Sequence, residues 1–193
     1  MTSIVDDLGP RLLRAEEAAE LDVHGRIDAA VLVPLYREGG ELHVVFTRRR
    51  ADLRRHAGEI SFPGGRQDFE AGEEDLRDTA LREAEEEIGL PREAVRLIGA
   101  LTPTPTVATN YAVYPFVGEI QPGHRWRPSA AEVAEVLELS IADLRGGYAR
   151  RRLMRRGVPF RTDVYDVGGN VIWGATARIL SDLLERMEPL KDV

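Results

Sequence analysis

The sequence predicts an α+β fold in which helices pack on a mixed β-sheet. Predominantly apolar stretches at residues 27–35 and 112–120 have the length of buried strands. Helical patterns cover residues 73–88 and 174–187. Strands and helices follow one another without strict alternation, and this order favours helices layered on a mixed sheet.

Each of the other predicted elements has a local signal. An amphipathic pattern predicts a short helix over residues 10–21. A short strand over 59–62 is stopped by the Pro-Gly-Gly turn at 63–65. Two glycines and an asparagine at 168–170 predict the turn of a hairpin within 165–173. Further strands are predicted over 42–47, 95–101 and 132–139, with a loop over 102–106.

The composition fits a single domain over residues 1–193, because 43% of the residues are hydrophobic and can form a core. The net charge of −7 has the opposite sign to that of a nucleic-acid-binding protein. Cysteine is absent, which excludes disulfides and thiolate catalysis and favours the cytoplasm. No apolar run reaches the roughly 18 residues of a transmembrane helix, and the acidic N-terminal segment argues against a secretory signal. A membrane role is therefore not expected.

The helix at 73–88 ends in an unfavourable way. Glu85, Glu86 and Glu87 occupy its last turn, just before the helix-ending Gly89. Acidic groups there face the negative end of the helix dipole, at a cost of about 0.3–1 kcal/mol each. Glu83 and Glu87 add a like-charge pair four residues apart. Because local rules tend to be broken at functional sites, these carboxylates are candidates for chemistry.

The helical spacing brings three of these carboxylates together. Glu83 and Glu87 lie about 40° apart, beside the buried stripe of the helix, and Glu86 lies on their flank. Glu85 points away from them. Oxygen ligands without histidine or cysteine suit a hard cation, Mg²⁺ or Mn²⁺. The stripe consists of Leu76, Ala80 and Ala84.

Two neighbouring features support a metal site. Arg82 is placed to orient one of the carboxylates. Gly64 and Gly65 form a tight turn ahead of the helix, where a backbone carbonyl could reach the metal. The competing interpretation is a solvated acidic face, the usual meaning of a charge run.

Residues 82-REAEEEIGL-90 resemble the core of the Nudix box, Arg-Glu-apolar-x-Glu-Glu-x-Gly-apolar, at all seven specified positions. Here the box spans about 64–90. Glu74 lies eight residues before Arg82, as the upstream glutamate of the box does. The loop at 66–72 is longer than in the family pattern. Asp68, Glu70 or Glu73 could therefore share the role of Glu74 as the upstream glutamate, and the sequence does not choose among them.

The preceding stretch, residues 45–65, resembles the signature of the coenzyme A (CoA) pyrophosphatase subfamily. Arg50 departs from that signature, standing where the subfamily usually has Ser or Ala. Segments 29–35, 112–120 and 172–180 are similar as well, so the resemblance spans about residues 26–184. The matching positions of the signature are Thr47, Arg49, Arg54, Gly58, Phe62, Pro63, Gly64 and Gly65.

The resemblance implies a Nudix α/β/α sandwich around a mixed sheet. It implies Mg²⁺- or Mn²⁺-dependent hydrolysis of the pyrophosphate of CoA or acyl-CoA, giving 3′,5′-ADP and 4′-phosphopantetheine. The small-molecule substrate would be its partner, and the oligomeric state stays open between a monomer and a homodimer. The implied catalytic residues are Glu83, Glu86, Glu87 and Arg82, the first three being metal ligands; the implied substrate-binding residues are Arg48, Arg49, Arg54, Gly64 and Gly65.

Other basic residues have two interpretations each. Arg55, with the signature arginines, fits phosphate groups but could equally be solvated. His56 is a phosphate donor or an ordinary packed histidine. The cluster at 150–157 is a solvated face or a site for the 3′-phosphate of CoA. The sequence does not identify the general base.

Two other functions remain open. The first is a Nudix hydrolase of ADP-ribose, NADH or a nucleoside triphosphate. The second is a catalytically silent Nudix domain that senses a nucleotide. Serine-hydrolase and P-loop functions are excluded, because neither Gly-x-Ser-x-Gly nor Gly-x-x-x-x-Gly-Lys occurs.

Overall fold

The computed structural model describes residues 3–21, 23–25, 27–53, 56–68, 75–106, 110–155 and 157–190. The helices are α1 (Ile4–Leu8), α2 (Ala15–Ala19), α3 (Leu76–Ile88), α4 (Ile141–Gly146) and α5 (Gly174–Met187). The strands are β1 (Ile27–Glu38), β2 (Glu41–Arg49), β3 (Ile60–Ser61), β4 (Gly64–Arg66), β5 (Arg96–Ala100), β6 (Thr104–Pro105), β7 (Tyr111–Glu119), β8 (Val133–Ser140), β9 (Tyr148–Arg155), β10 (Val158–Val167) and β11 (Asn170–Trp173).

The main sheet is mixed, as the sequence predicts. Its central order is β3-β2-β1-β7-β5, with β4 paired to β1, β6 to β7 and β8 to β2. Only the central pair β1–β7 is parallel among the described strands; the other pairs are antiparallel. A second, antiparallel sheet has the order β11-β10-β9. The catalytic candidates lie beside the parallel pair.

Alternate residues of β1 enter two separate cores, one on each face of the sheet. Val33 and Leu35 pack with residues of α5, whereas Leu32 and Tyr36 pack with residues of α3. This alternation is the period-2 pattern of a strand buried on both faces. The sheet therefore lies between helices, and the predicted α+β sandwich is confirmed.

Several predicted elements have the expected limits. Helix α5 covers Gly174–Met187 as predicted, and β10 and β11 form the predicted hairpin. Helix α3 begins at Leu76 rather than at 73, because Asp75 is its N-cap and accepts the N–H of Arg77. Gly89 ends this helix in the left-handed conformation, with φ of 70°.

Other elements differ from the prediction. The single helix over 10–21 is wrong, because a 3-10 turn at Gly9–Arg11 carries Pro10 at its start and interrupts the chain. A new helix begins only after Arg14, whose N–H is accepted by Glu17 at 2.9 Å. The loop at 102–106 contains the short strand β6. Helix α4 and strand β9 were not predicted. No helix in the described ranges is long and apolar enough to cross a bilayer.

Candidate active site

A cleft of about 1420 Å³ opens between the main sheet and the second sheet. One end is formed by α3 and β4 and is rich in carboxylates. The other end is formed by β10 and the start of α5, and it carries aromatic and basic side chains. The lining includes Arg49, Gly64, Gly65, Arg82, Glu83, Glu87, Glu132, Phe160, Arg161, Trp173 and Arg178.

Glu87 is the most buried carboxylate of the cleft, with 5% of its surface exposed. Its Oε2 accepts the N–H of Gly64 at 3.3 Å, and its Oε1 lies 3.7 Å from Nη1 of Arg49. Burial raises the pKa of Glu87 to about 8, and the charges of Glu83 and Glu132 act in the same direction. Arg49 and the Gly64 N–H oppose that rise without cancelling it. The acidic end thus holds negative charge that the protein compensates only in part.

Glu83 faces the same cleft from one turn earlier on α3. Its Oε1 accepts from Nη1 of Arg82 at 2.9 Å. Burial raises its pKa as well, although Arg82 opposes the shift. Arg82 also donates to the carbonyl of Arg66 at 3.3 Å, so it links α3 to the end of β4. The predicted placement of Glu83 and Glu87 in one pocket is confirmed.

Glu86 does not join the other two carboxylates. Its side chain is 61% exposed and lies 3.4 Å from Arg82 on the solvent side of the helix. It is absent from the cleft lining. Among the residues described, no group of three or more acidic or histidine side chains is spaced to hold a metal ion. In this arrangement of side chains the carboxylate of Glu86 therefore stands apart from those of Glu83 and Glu87, and a metal site of all three stays a prediction.

Gly64 and Gly65 are required by close packing. A Cβ at Gly64 would lie 2.3 Å from the carbonyl oxygen of Ala30, because β4 pairs with β1 at this point. A Cβ at Gly65 would lie 2.4 Å from the carboxyl carbon of Glu83. The two glycines therefore let the backbone of β4 approach both carboxylates of α3.

Arg49 lies between carboxylates without a close partner. Its Nη atoms are 3.7 Å from Glu87 and 3.8 Å from Glu132. Its Nε is buried and has no hydrogen-bond partner among the described residues. Both ion pairs are longer than a charge-assisted hydrogen bond. The guanidinium is therefore held in the cleft with donor capacity left over.

Glu132 was missed by the sequence interpretation, because no local pattern marks it. The turn that carries it is tied to α3, since the N–H of Ser129 donates to the carbonyl of Glu87 at 2.8 Å. The N–H of Glu132 then donates to the carbonyl of Ser129 at 3.0 Å. Pairing of β8 with β2 adds the register Arg49–Val133. The backbone N–H of Arg50 donates to the carbonyl of Glu132 at 3.0 Å, so tertiary contacts bring Glu132 to the acidic end.

Of the neighbouring arginines at 48, 50, 54 and 55, the two that the structure describes are outside the cleft lining. Arg48, next to Arg49 on β2, lines a smaller adjoining pocket and contacts Glu135 at 3.2 Å. It also donates to Asn170. Arg50 forms a two-pronged pair with Asp52 and does not line the cleft. It also donates to the carbonyl of Ala130, in the turn that carries Glu132. The predicted substrate residue Arg54 and its neighbour Arg55 are outside the described residues.

Of the acidic residues considered for the long loop, only Asp68 is among the described residues. Asp68 lines the cleft. His56 also lines it and contacts Glu59 at 2.7 Å, which makes it a paired surface histidine beside the site. Glu70, Glu73 and Glu74 are outside the described residues.

The far end of the cleft was not anticipated as a site. The rings of Phe160 and Trp173 lie 6.0 Å apart at 50° to each other. Arg161 on β10 and Arg178 on α5 also line the cleft. Because the rings are inclined to each other, a base could stack on one of them but not on both at once. The sequence signal for this end was limited to the predicted hairpin and helix.

A NUDIX domain model matches residues 26–157, which is more than half of the chain. The chain belongs to the Nudix hydrolase family. An uncharacterized Nudix hydrolase, NudL, from Salmonella paratyphi B is 40% identical over 157 residues, covering 80% of each chain. As a Nudix hydrolase, the protein acts on the pyrophosphate of a nucleoside diphosphate derivative.

Solved Nudix structures share the fold. A MutT/nudix family protein from Enterococcus faecalis has a TM-score of 0.56 and 15% identity, covering 88% of this chain and 65% of that longer one. A MutT protein from Methanosarcina mazei has a TM-score of 0.51 and 18% identity, covering 88% of this chain and 97% of the other. These similarities concern the fold alone.

Nudix hydrolases generally use divalent ions such as Mg²⁺, and the acidic end fits such an ion in part. Glu83 and Glu87 offer only oxygen donors, and burial raises the pKa of both. Neighbouring carboxylates act in the same direction, Glu83 on Glu87 and Glu86 on Glu83. A hard cation would relieve this uncompensated charge. Glu86 is the exception, since its carboxylate lies outside the cleft beside Arg82.

Proposed function

We propose that this Nudix hydrolase cleaves the pyrophosphate of CoA or acyl-CoA, giving 3′,5′-ADP and 4′-phosphopantetheine. The observation that carries the proposal is Arg49, which belongs to the CoA-type signature at 45–65 and lies in the cleft beside Glu87. Its buried Nε and its long ion pairs leave donors for a phosphate.

The residues of the acidic end have separate roles in this proposal. Glu83, Glu87 and Glu86 would hold Mg²⁺ or Mn²⁺, with Glu86 required to leave Arg82. When bound, the cation would neutralise phosphate oxygens and lower the pKa of a water molecule. Arg82 positions Glu83 through its 2.9 Å contact. Arg49 would bind the pyrophosphate opposite these carboxylates.

The size and composition of the cleft also support a large substrate. Its volume of about 1420 Å³ exceeds the roughly 300–1,000 Å³ of ordinary ligand pockets. It extends from the acidic end past Phe160 and Trp173. A molecule as large as CoA would occupy both ends.

ADP-ribose is the alternative substrate. The NUDIX domain of Shewanella oneidensis NrtR, which was crystallised with ADP ribose, has a TM-score of 0.51 and 18% identity to this chain. Its fold is shared, but that degree of identity does not transfer the ligand. NADH is an equivalent alternative, and a catalytically silent nucleotide sensor is a third.

A competition assay decides among these functions. The protein is incubated with Mg²⁺ and equal concentrations of CoA, ADP-ribose and NADH, and the products are identified by mass. We expect 3′,5′-ADP to appear first. Consumption of ADP-ribose or NADH while CoA survives would reject the CoA assignment, and binding without turnover of any substrate would support the silent sensor.

A further inference from the structure

We propose that Arg50 is a positioning residue for the acidic end of the cleft. It ties the turn at 129–132 to the end of β2 and thereby sets where the carboxylate of Glu132 stands against Arg49 and Glu87. The inference concerns pyrophosphate hydrolysis at this site and does not depend on CoA being the substrate. It gives a role to a residue that departs from the signature at 45–65.

The guanidinium of Arg50 is held between a loop and the turn. Its Nε donates to Oδ1 of Asp52 at 2.8 Å, and its Nη2 donates to Oδ2 at 2.7 Å. Its third nitrogen, Nη1, donates to the carbonyl of Ala130. The two-pronged contact with Asp52 fixes the plane of the guanidinium, so the third donor is directed at the turn. Serine or alanine, the usual residues of the signature here, is too short to make these contacts.

The main chain of Arg50 holds the same turn. Its N–H donates to the carbonyl of Glu132 at 3.0 Å. Within the turn, the N–H of Glu132 donates to the carbonyl of Ser129 at 3.0 Å, and the N–H of Ser129 donates to the carbonyl of Glu87 at 2.8 Å. The turn is therefore attached to the end of β2 through Arg50 and to the end of α3 through Ser129.

Strand pairing alone leaves this turn weakly fixed. The ladder between β2 and β8 has a register shift between Arg48 and Arg49, and its last pair on this side is Arg49 with Val133. The residues before Val133 lie beyond the ladder. The contacts of Arg50 with Ala130 and Glu132 continue the attachment where the regular pairing stops.

The position of the turn matters because Glu132 faces the site. Its carboxylate lies 3.8 Å from Nη2 of Arg49, whose Nη1 lies 3.7 Å from Glu87. Both distances exceed a hydrogen bond, so no short contact holds these three charges in place. The side chain of Glu132 is 52% exposed, and its location depends on its backbone. A shift of the turn would therefore move this carboxylate relative to Arg49 and Glu87.

The test is a double-mutant cycle on kcat/KM, measured with the pyrophosphate that the competition assay shows to be cleaved. Arg50→Ala removes the side-chain contacts and keeps the backbone N–H. We expect it to lower kcat/KM about fivefold, the size of one lost hydrogen bond. Glu132→Gln should lower kcat/KM by at least as much. In the Glu132→Gln background, Arg50→Ala should cost less than about twofold, because the charge that Arg50 positions is already absent.

Arg50→Lys tests the geometry of the contact. A lysine keeps the positive charge but lacks the fork that reaches Asp52 and Ala130 together. We expect it to recover only part of the activity that Arg50→Ala loses, about half on a logarithmic scale.

A matched control separates this role from a general surface effect. Arg77 forms a similar two-pronged pair with Asp75 and does not line the cleft. Its side chain is 43% exposed, against 40% for Arg50. Arg77→Ala should leave kcat/KM unchanged.

Hydrogen exchange supplies a readout without turnover. The amides of Ser129 and Glu132 should exchange about fivefold faster in Arg50→Ala than in the wild type, because the turn has lost one attachment. Arg77→Ala should leave their exchange unchanged.

The outcomes keep the two proposals apart. An equal cost of Arg50→Ala with and without Glu132→Gln would overturn the positioning role, as would wild-type kinetics in either single variant or unchanged exchange in the turn. Cleavage of ADP-ribose in place of CoA would reject the proposed function alone, since the cycle is then measured with ADP-ribose. Absence of turnover of every substrate would overturn both.

Discussion

The two ends of the cleft carry opposite excesses of charge. At the acidic end, Glu83 and Glu87 have raised pKa values even though Arg82 and Arg49 lie beside them. At the far end, basic side chains line the wall without carboxylate partners in the described chain. The buried carboxylates are unfavourable in the free protein and would be relieved by a cation, whereas the arginines of the far end are exposed to solvent.

The ends also differ in how the sequence encodes them. The acidic end is built mainly from residues 64–87, which pair and pack locally through β4 and α3. The far end depends on β10, β11 and the first turns of α5, which meet through hairpin pairing and packing of the second core. The proposed catalytic residues thus belong to one compact motif, whereas the far end depends on the arrangement of separate elements.

Loss of a carboxylate should have the largest effect and tests the acidic end directly. Glu83→Gln, Glu86→Gln and Glu87→Gln should each lower kcat by about 100-fold or more, since each removes a charge proposed to hold the cation. Circular dichroism should show an unchanged fold. Glu85→Gln is the matched control, because Glu85 is exposed on the same turn. Full activity of Glu86→Gln alone would show that two carboxylates suffice.

Gly65→Ala should disturb the same end through shape rather than charge. The added Cβ would lie 2.4 Å from the carboxyl carbon of Glu83 and would push that side chain away. A displacement of this size can cost up to about 100-fold in kcat. Gly146→Ala has open space around its Cβ and serves as the control. Normal turnover by Gly65→Ala would mean that the position of Glu83 is not critical.

Arg48 and Arg49 are adjacent on β2, so substituting each in turn compares the smaller pocket with the cleft. Arg49→Ala should lower kcat/KM for CoA by about tenfold or more, the size of one lost charge-assisted contact. Arg48→Ala should change it by less than about threefold, because Arg48 contacts Glu135 and lines the smaller pocket. Steady-state kinetics on both variants measures the difference. A larger effect from Arg48→Ala than from Arg49→Ala would contradict substrate binding in the cleft and would favour the smaller pocket that Arg48 lines.

The smallest effect concerns stability without metal. The pKa of Glu87 rises from 4.5 to about 8 on folding, so the folded state holds this proton more tightly. Its contribution to stability is complete below about pH 4.5 and is lost as the pH rises through about 8. In EDTA, the free energy of unfolding should therefore fall between these values. Glu87→Gln should remove that part of the slope and be more stable near pH 8 by about 1–3 kcal/mol.

Denaturant titrations at several pH values measure this slope in both proteins. Mg²⁺ should stabilise the wild type near pH 8 more than it stabilises Glu87→Gln, because only the wild type offers the buried carboxylate to the cation. Identical pH dependence of the two proteins would contradict the raised pKa of Glu87.

The sequence by itself determined the elements whose patterns are local. The apolar run of β1, the acidic C-terminal turn of α3 and the helix α5 were all readable, because strand and helix periods leave a direct trace in the order of residues. The Nudix motif and the family follow from that same contiguous stretch. The prediction of one helix over 10–21 was wrong, because it gave the amphipathic pattern more weight than Pro10, which lies in the interrupting 3-10 turn.

Only the tertiary structure decided which charged groups meet. Glu132 reaches Glu87 through the contact of Ser129 with the end of α3, and no spacing in the sequence records that contact. Arg49 and Arg48 are neighbours in sequence but line different pockets, because successive strand residues point to opposite faces. Glu86 lies exposed beside Arg82, whereas helical angles alone placed it on the flank of Glu83 and Glu87. Charge interactions act through space, so their partners are set by packing rather than by order along the chain.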